Sequence, residues 1–456
     1  MDQPQNPLGV LPVRKLLMKF AVPSIIAMLT SALYNIVDQF FIGHSVGELG
    51  NAATNIAFPL TISSVAIALL FGIGGASAFN LAMGQGEKEE AVGYMGTALS
   101  GMGVCGFVLL VITQLFLHPM LGFFGTPANV MDYASVYVRI TSIGFPMLIV
   151  STGGGHLIRA DGSPQFSMLC NLTGAIINTI LDALFVFGFH MGMAGAAWAT
   201  IIGQFVAGFM ALYYLAHCKT VTLKVSDLKP KKNSLKRVTS LGAAPCSNQL
   251  AMMIVQIVMN KSLTHYGALS SYGEAIPLAC AGIISKVNQV YFSFIIGISQ
   301  GLQPIISFNY GAEKYPRVRK AYLLASGVGL ILSVCAFVLF QTIPKQIIAL
   351  FGNGSPEYVA FAVNYFRIFL FFTFLNFIQP ITSNCFTAIG KPARGMFLSL
   401  TRQILFLLPL ILILPLFWGL DGILFAGPIA DGTAAVVSAW MIGKELRQEK
   451  YRVSGK

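Results

Sequence analysis

Three acids lie where the chain can least easily hydrate them: Asp38, Asp182 and Asp431, each inside a long apolar stretch. Ionisable groups at membrane depth are costly and mark paths for ions or substrates. Two of the three have polar company. Asn171, Gly174, Asn178 and Asp182 recur at a spacing of three or four and so line one helical face. Tyr34 and Asn35 precede Asp38 by about one turn, and Gln204 follows Thr200 by one turn. At a rise of about 1.5 Å per residue, Asp38, Asp182 and Thr200 fall within a band of roughly 5 Å in depth. The spacing therefore predicts a cluster of carboxylate, amide and hydroxyl oxygens. Such oxygens suit a hard cation, so Asp38, Asn178, Asp182 and Thr200 form a candidate Na+ site; a pair of carboxyl groups withdrawn from water equally suits H+. The competing reading is a hydrogen-bonded glue between helices, worth about 0.6 kcal/mol per contact. Two acids are an expensive way to obtain it.

The elements that must position these side chains are membrane helices. Of 456 residues, 55% are hydrophobic and only 10% charged, against about 25% charged in soluble domains; the mean hydropathy is +0.73. Crossing about 30 Å of hydrocarbon takes roughly 20 residues. Stretches of that kind lie near 17–42, 56–83, 92–117, 129–155, 165–188, 193–217, 238–265, 276–302, 319–343, 358–386, 394–417 and 422–443. The chain thus reads as an all-α integral membrane protein with twelve transmembrane helices. The apolar run after Arg14 and Lys15 is too long for a signal peptide and carries Pro23 and Asp38, so it is read as the first span.

The net charge of +12 sorts by side. With the N-terminus inside, the inner segments hold Arg14, Lys15, Lys19, Lys88, Arg159, the basic 219–237 stretch, Lys314, Arg317, Arg319, Lys320, Lys391, Arg394 and the C-terminal cations, while the outer loops hold Lys345 alone. The positive-inside rule then places both termini in the cytoplasm of a multi-pass cell-membrane protein. This bias accounts for the charge without a nucleic-acid partner. The seven cysteines form no CxxC pair, no GxxxxGK[ST] loop occurs, and the six histidines make no HExxH arrangement. No cofactor and no enzymatic activity are expected, the bilayer is the expected surrounding, and a monomer is the expected state.

The sequence also repeats itself. Tyr137, Arg139, Ile140, Ala160, Gly162 and Pro164 return as Tyr365, Arg367, Ile368, Ala388, Gly390 and Pro392 at a shift of 228. Phe124-Gly125 returns as Phe351-Gly352 at 227, and Gly72, Ile73 and Gly86 as Gly297, Ile298 and Gly311 at 225. Six spans per copy is an even number, so the copies enter the membrane in one direction, as two parallel six-helix repeats about an axis along the membrane normal. We assign residues 1–218 to an N-lobe, 219–237 to a basic cytoplasmic linker and 238–456 to a C-lobe. The acid cluster does not repeat: Asn178, Asp182 and Thr200 face Phe406, Leu410 and Gly427. The second copy instead offers Gln256, Asn260 and Lys261, then Lys286, Asn288 and Gln289, then Arg402, Gln403 and Asp431. A Lys286–Asp431 pair is conceivable. Asn35, Gln204, Gln256, Asn260, Lys286, Asn288, Phe292 and Asp431 are candidate lining of a substrate cavity between the copies, and Arg139 and Arg367 are assigned a shared structural role.

Pro23 and the run Asn35-Ile36-Val37-Asp38-Gln39-Phe40-Phe41-Ile42-Gly43-His44 resemble the opening of the multidrug and toxic compound extrusion (MATE) family. Gly301-Leu302-Gln303-Pro304 and Asn309-Tyr310-Gly311 resemble that family's segment after its eighth helix, and the likeness is greatest to its MepA-like exporters. The resemblance implies V-shaped lobes, alternating access, and antiport of cationic or amphipathic compounds against H+ or Na+. It also implies a first-lobe cation site at Asp38, Asn178, Asp182 and Thr200, with Tyr34 beside it. Another branch of the family carries acids in helices 7 and 10; this chain has none there. The rival functions are a lipid-linked precursor flippase of the wider superfamily, for which Lys261, Lys286 and Arg402 are the candidate headgroup cations, and, more remotely, a polytopic membrane enzyme.

Overall fold

The computed structural model describes residues 6–124, 126–273, 275–350 and 355–451. Gly125, Phe351 and Gly352 of the repeat, and the C-terminal cations Arg452 and Lys456, lie outside the described residues. Among the described residues, twelve helices are long and apolar enough to cross a membrane. In chain order, spans 1 to 12 are Val13–Ser45, Leu49–Gln85, Lys88–Leu115, Ala128–Ala160, Pro164–Gly188, Gly192–Ala216, Lys232–Ala268, Ile276–Gly311, Tyr315–Thr342, Pro356–Leu375, Pro392–Trp418 and Leu420–Leu446. Each predicted stretch corresponds to one of them, and no strand occurs among the described residues.

Several local departures from a plain helix were not expected, among them a 3-10 turn at Ser142–Gly144 inside span 4. Span 10, predicted as one crossing over 358–386, is broken: the helix Pro356–Phe369 gives way to a 3-10 turn at Thr373–Leu375, and a second helix, Ile378–Ala388, completes the passage. Backbone freed at such a break must find partners inside the protein, and the Tyr291 hydroxyl donates to the Thr373 carbonyl at 3.1 Å. Spans 5 and 11 each contain a π-helical segment, Ala183–Gly188 and Thr401–Leu407. Span 7 starts at Lys232 rather than near 238, because apolarity marks only the part of a helix that meets lipid. The stretch expected as a 219–237 tether is accordingly part helix, with a 3-10 turn at Val225–Leu228.

The sequence repeat is a repeat of packing. Spans 1 and 5, 2 and 4, and 5 and 6 pack together in the first half as 7 and 11, 8 and 10, and 11 and 12 do in the second. The recurring Gly-x-Pro ends both fourth spans in the same manner. Gly162 and Gly390 take φ of 91° and 77°, the left-handed conformation that closes a helix at low steric cost in glycine. Pro164 and Pro392 then start the next helix, where a missing N–H is harmless. The recurring arginines use their carbonyls: Gln114 Nε2 donates to Arg139 O at 2.7 Å, and Gln341 Nε2 to Arg367 O at 3.0 Å. Both arginine side chains are exposed.

Spans 1 and 8, and 2 and 7, join the halves. Their contacts fall toward the end that carries the chain termini, the basic end. Glycines allow the approach there: a Cβ on Gly242 would collide with the Leu70 carbonyl, one on Gly74 with the Val238 carbonyl, and one on Gly311 with the Leu81 carbonyl. Toward the opposite end the same helices expose Leu33, Phe58 and Met252, which is consistent with two arms of a V rising from this closed base. Gly242→Val should force the two backbones apart and cost about 1–3 kcal/mol. Thermal unfolding in detergent should show a melting point several degrees lower, and an unchanged melting point would contradict this packing.

Both ends of the chain are tied to the base. Asn309 Nδ2 and Arg317 Nη2 donate to Leu8 O at 2.9 and 3.2 Å, and Lys314 Nζ to Gly9 O at 3.0 Å. The fully buried Glu445 carboxylate pairs with Lys391 at 2.6 Å and Arg394 at 2.8 Å. It also accepts from the buried Tyr451 hydroxyl at 3.1 Å, which fixes the tail.

Candidate functional site

Span 1 carries Asp38 in the part that points away from the basic end, and it packs there against span 5, which presents Asn178 and Asp182 from its last turns before the π segment. All three side chains are buried, as is Thr200 on span 6. The two carboxyl groups lie near enough for each to feel the other's charge. Asn178 Nδ2 reaches Thr200 Oγ1 at 3.4 Å, and that hydroxyl in turn donates to the Ala196 carbonyl at 2.9 Å. The hydroxyl of Tyr34 approaches Thr200 and feels both carboxylates. Of the residues that the spacing set at one depth, Asp38, Asn178, Asp182, Thr200 and Tyr34 lie together.

A sixth member went unrecognised. Tyr137 of span 4, a half-buried residue, lies near the same Thr200, beside Asp38, Asp182 and Tyr34. The sequence displays Tyr137 only as part of a repeated Tyr-x-Arg-Ile, which suggests architecture. The asymmetry of the copies is what gives it chemistry, because its counterpart Tyr365 is buried in the apolar core of the second half.

The cluster has too many acceptors. Asp38 Oδ1, Asn178 Oδ1 and both Asp182 carboxylate oxygens are buried with no hydrogen-bond donor among the described residues. Buried polar atoms are almost always partnered, and an unmatched acceptor out of water costs on the order of 1–3 kcal/mol. Two ionised carboxylates side by side repel as well. A proton on one of them turns an acceptor into a donor, and a small cation supplies the charge that several oxygens can share. Such a set of oxygens suits a proton or a small cation.

The other candidate positions do not form a single cluster. Asn35 is exposed, with its amide on the Ser31 carbonyl at 2.9 Å. Gln204 keeps Oε1 buried without a donor, and a Cβ on Gly144 would press upon it. Gln256 Nε2 donates to Asn260 Oδ1 at 2.9 Å across one exposed turn of span 7, and Asn288 Oδ1 is buried without a donor. Phe292 packs against Tyr291 and the apolar core of the second half.

The Lys286–Asp431 pair gives way to a different partner. Arg402 Nε lies 2.5 Å from Asp431 Oδ1, and Asn376 Nδ2 donates to Asp431 Oδ2 at 2.9 Å. Arg402 stands in the π-helical segment of span 11. Depth along the spans could suggest either cation, and packing selects the arginine, whose nitrogens can bond a carboxylate while the rest of its planar fork meets other groups.

With this geometry in view, the comparisons are specific. The MatE family model matches residues 23–184 and 246–413, one segment in each half. Multidrug export protein MepA of Staphylococcus haemolyticus is 25% identical over 94% of this chain and 93% of its own length. Multidrug export protein MepA of Staphylococcus aureus strain MSSA476 is 25% identical over 94% of each. Among solved structures, the MATE multidrug transporter DinF-BH is 30% identical over the whole of both chains, with a TM-score of 0.90. An outward-facing MATE family transporter of the MOP superfamily superposes with a TM-score of 0.89 over 97% of this chain and 98% of its own, at 22% identity, a likeness of fold.

Proposed function

The chain belongs to the MatE family, whose members are transporters rather than enzymes, and from that premise we propose that it is a multidrug exporter driving cationic and amphipathic compounds out of the cell against entry of H+ or Na+. The observation that carries the coupling is the surplus of buried acceptors at Asp38, Asn178 and Asp182. A site short of positive charge has a free energy that depends on whether the cation is present. If that dependence differs between the two arrangements of the lobes, binding shifts their populations. Tyr34, Tyr137 and Thr200 complete the site as neutral hydroxyls that can donate to a carboxylate or accept toward a metal ion.

The names of the relatives support the substrate class: MepA proteins are multidrug export proteins, and DinF-BH is a multidrug transporter. The half-exposed polar groups of span 7 support a wetted cleft between the lobes, since amides facing lipid would be costly. In this reading residues 1–218 and 238–456 are the two lobes of a monomer, 219–237 joins them, and the basic end faces the cytoplasm of a cell-membrane protein. The structure's open end then faces outward. Of the three cations that a lipid-linked flippase would offer its headgroup, Arg402 is neutralised by Asp431.

Purified protein in sealed vesicles tests the proposal directly. A fluorescent cation should be driven uphill when a pH gradient or a Na+ gradient is imposed, and the gradient that works names the ion. Absence of uphill movement under both gradients would overturn it.

A further inference from the structure

The closed base of the V contains a charge that nothing there balances. Arg159, in the last turn of span 4, is 3% exposed. Its Nη1 donates to Ser167 Oγ at 2.8 Å, and its Nη2 crosses to the other half, to Gln300 Oε1 of span 8, at 3.2 Å. Both partners are neutral, and among the described residues no carboxylate lies within ion-pairing distance of the guanidinium. The acid nearest in sequence, Asp161, is spent on the Tyr214 hydroxyl at 2.8 Å, on the backbone N–H groups of Lys219 and Thr220 at 2.7 and 3.1 Å, and on the Thr220 hydroxyl. His156, one turn earlier on the same face, is buried with Nδ1 unpartnered and brings no negative charge. The carbonyls at the end of span 4 compensate only in part.

Span 8 supplies the opposing force. Gln303, one turn beyond Gln300, donates to the Ile73 carbonyl and to Ser77 Oγ of span 2 at 3.2 and 2.8 Å, and both glutamines are buried. These bonds cross from one half to the other, so they exist only while the base is shut. The guanidinium can regain water only when the base parts, because a residue of the opposite half sits on it. An unpaired charge withheld from water raises the free energy of the state that buries it.

We propose that Arg159 is a positioning residue of the transport cycle: its buried, uncompensated charge loads the closed base against the Gln303 latch, so that the base can open without an external force. The inference rests on alternating access as proposed above, and it concerns the base alone, neither the cation site nor the drug.

The test reads opening without transport. Ser307 is fully buried on the same face of span 8, and Ser307→Cys serves as the reporter in full-length protein in lipid nanodiscs, with no gradient and no drug. Labelling by a membrane-impermeant maleimide is followed at that position by peptide mass spectrometry. Adding Arg159→Met or Arg159→Gln should slow labelling at least about fivefold, as the shut base loses its destabilising charge. Arg159→Lys, which keeps the charge, should label at the reporter's rate, whereas Gln300→Leu, which removes an acceptor from the guanidinium, should label faster. If Arg159→Met does not fold, Arg159→Gln decides. Slowing of less than twofold in the folded charge-free variants, or faster labelling, overturns the proposal. A protein that fails to transport in vesicles but shows this ordering would refute the exporter reading and leave this one standing.

Discussion

Asp182→Asn should bring gradient-driven efflux down to the level of protein-free vesicles, and Asp38→Asn should do the same. Asparagine has nearly the size of aspartate but cannot take up a proton at physiological pH and offers a cation one neutral oxygen instead of a charged pair. Coupling requires a site whose occupancy can change. The substitution should leave folding intact, because the Asp182 oxygens accept no hydrogen bond that would be lost. The new amide can instead donate to one of the unmatched acceptors beside it. The melting point is accordingly expected to stay level or rise, a result that separates loss of coupling from loss of structure. Because the two acids serve one site, the double variant should be no worse than either single one. Full efflux by either single variant, measured with fluorescent cation in energised vesicles, would remove these acids from the mechanism.

Asp431→Ala should behave in the opposite way, damaging the protein itself. It leaves the Arg402 guanidinium largely buried beside a cavity and the Asn376 amide without its acceptor. Removing one member of a buried pair costs about 3–5 kcal/mol, whereas replacing both by apolar groups is often neutral. The single variant should therefore melt many degrees lower or fail to accumulate in the membrane, and the double variant Arg402→Met with Asp431→Leu should recover most of the loss. If Asp431→Ala were as stable as the unsubstituted protein while efflux ceased, the second-half acid would belong to transport rather than to structure.

The contrast between these two acids also marks how far the sequence could be read. Hydropathy, the 228-residue echo and the Asn-x-x-x-Asp spacing on span 5 determine the spans, the duplication and the acid cluster, since each depends on local periodicity and depth. What decides between Arg402 and Lys286 as the partner of Asp431 is the rotation of spans 8 and 11 about their own axes, and that comes from packing. The break after Phe369 is invisible for a related reason: its cost is met by Tyr291, 82 residues away in the chain. Tyr137 stayed hidden because its repeat partner made it look architectural. The Gly-x-Pro corners, by contrast, were legible to the residue, because a left-handed turn followed by a helix start is written in adjacent positions.

The failure of the second copy to repeat the first has a thermodynamic consequence. A pump assembled from two identical halves would carry its acid pair twice; among the described residues this chain carries one unneutralised buried pair, in the first half. If the chain is the proton-driven exporter proposed above, this pair sets a ceiling of two protons per turnover. Export of a singly charged drug against one proton moves no net charge and draws only on the pH difference, whereas exchange for two adds about 2.3 kcal/mol for every 100 mV of membrane potential. Under that proposal the count of carboxylates bounds the steepest drug gradient, and whether efflux responds to voltage at constant pH reveals which of the two exchanges occurs.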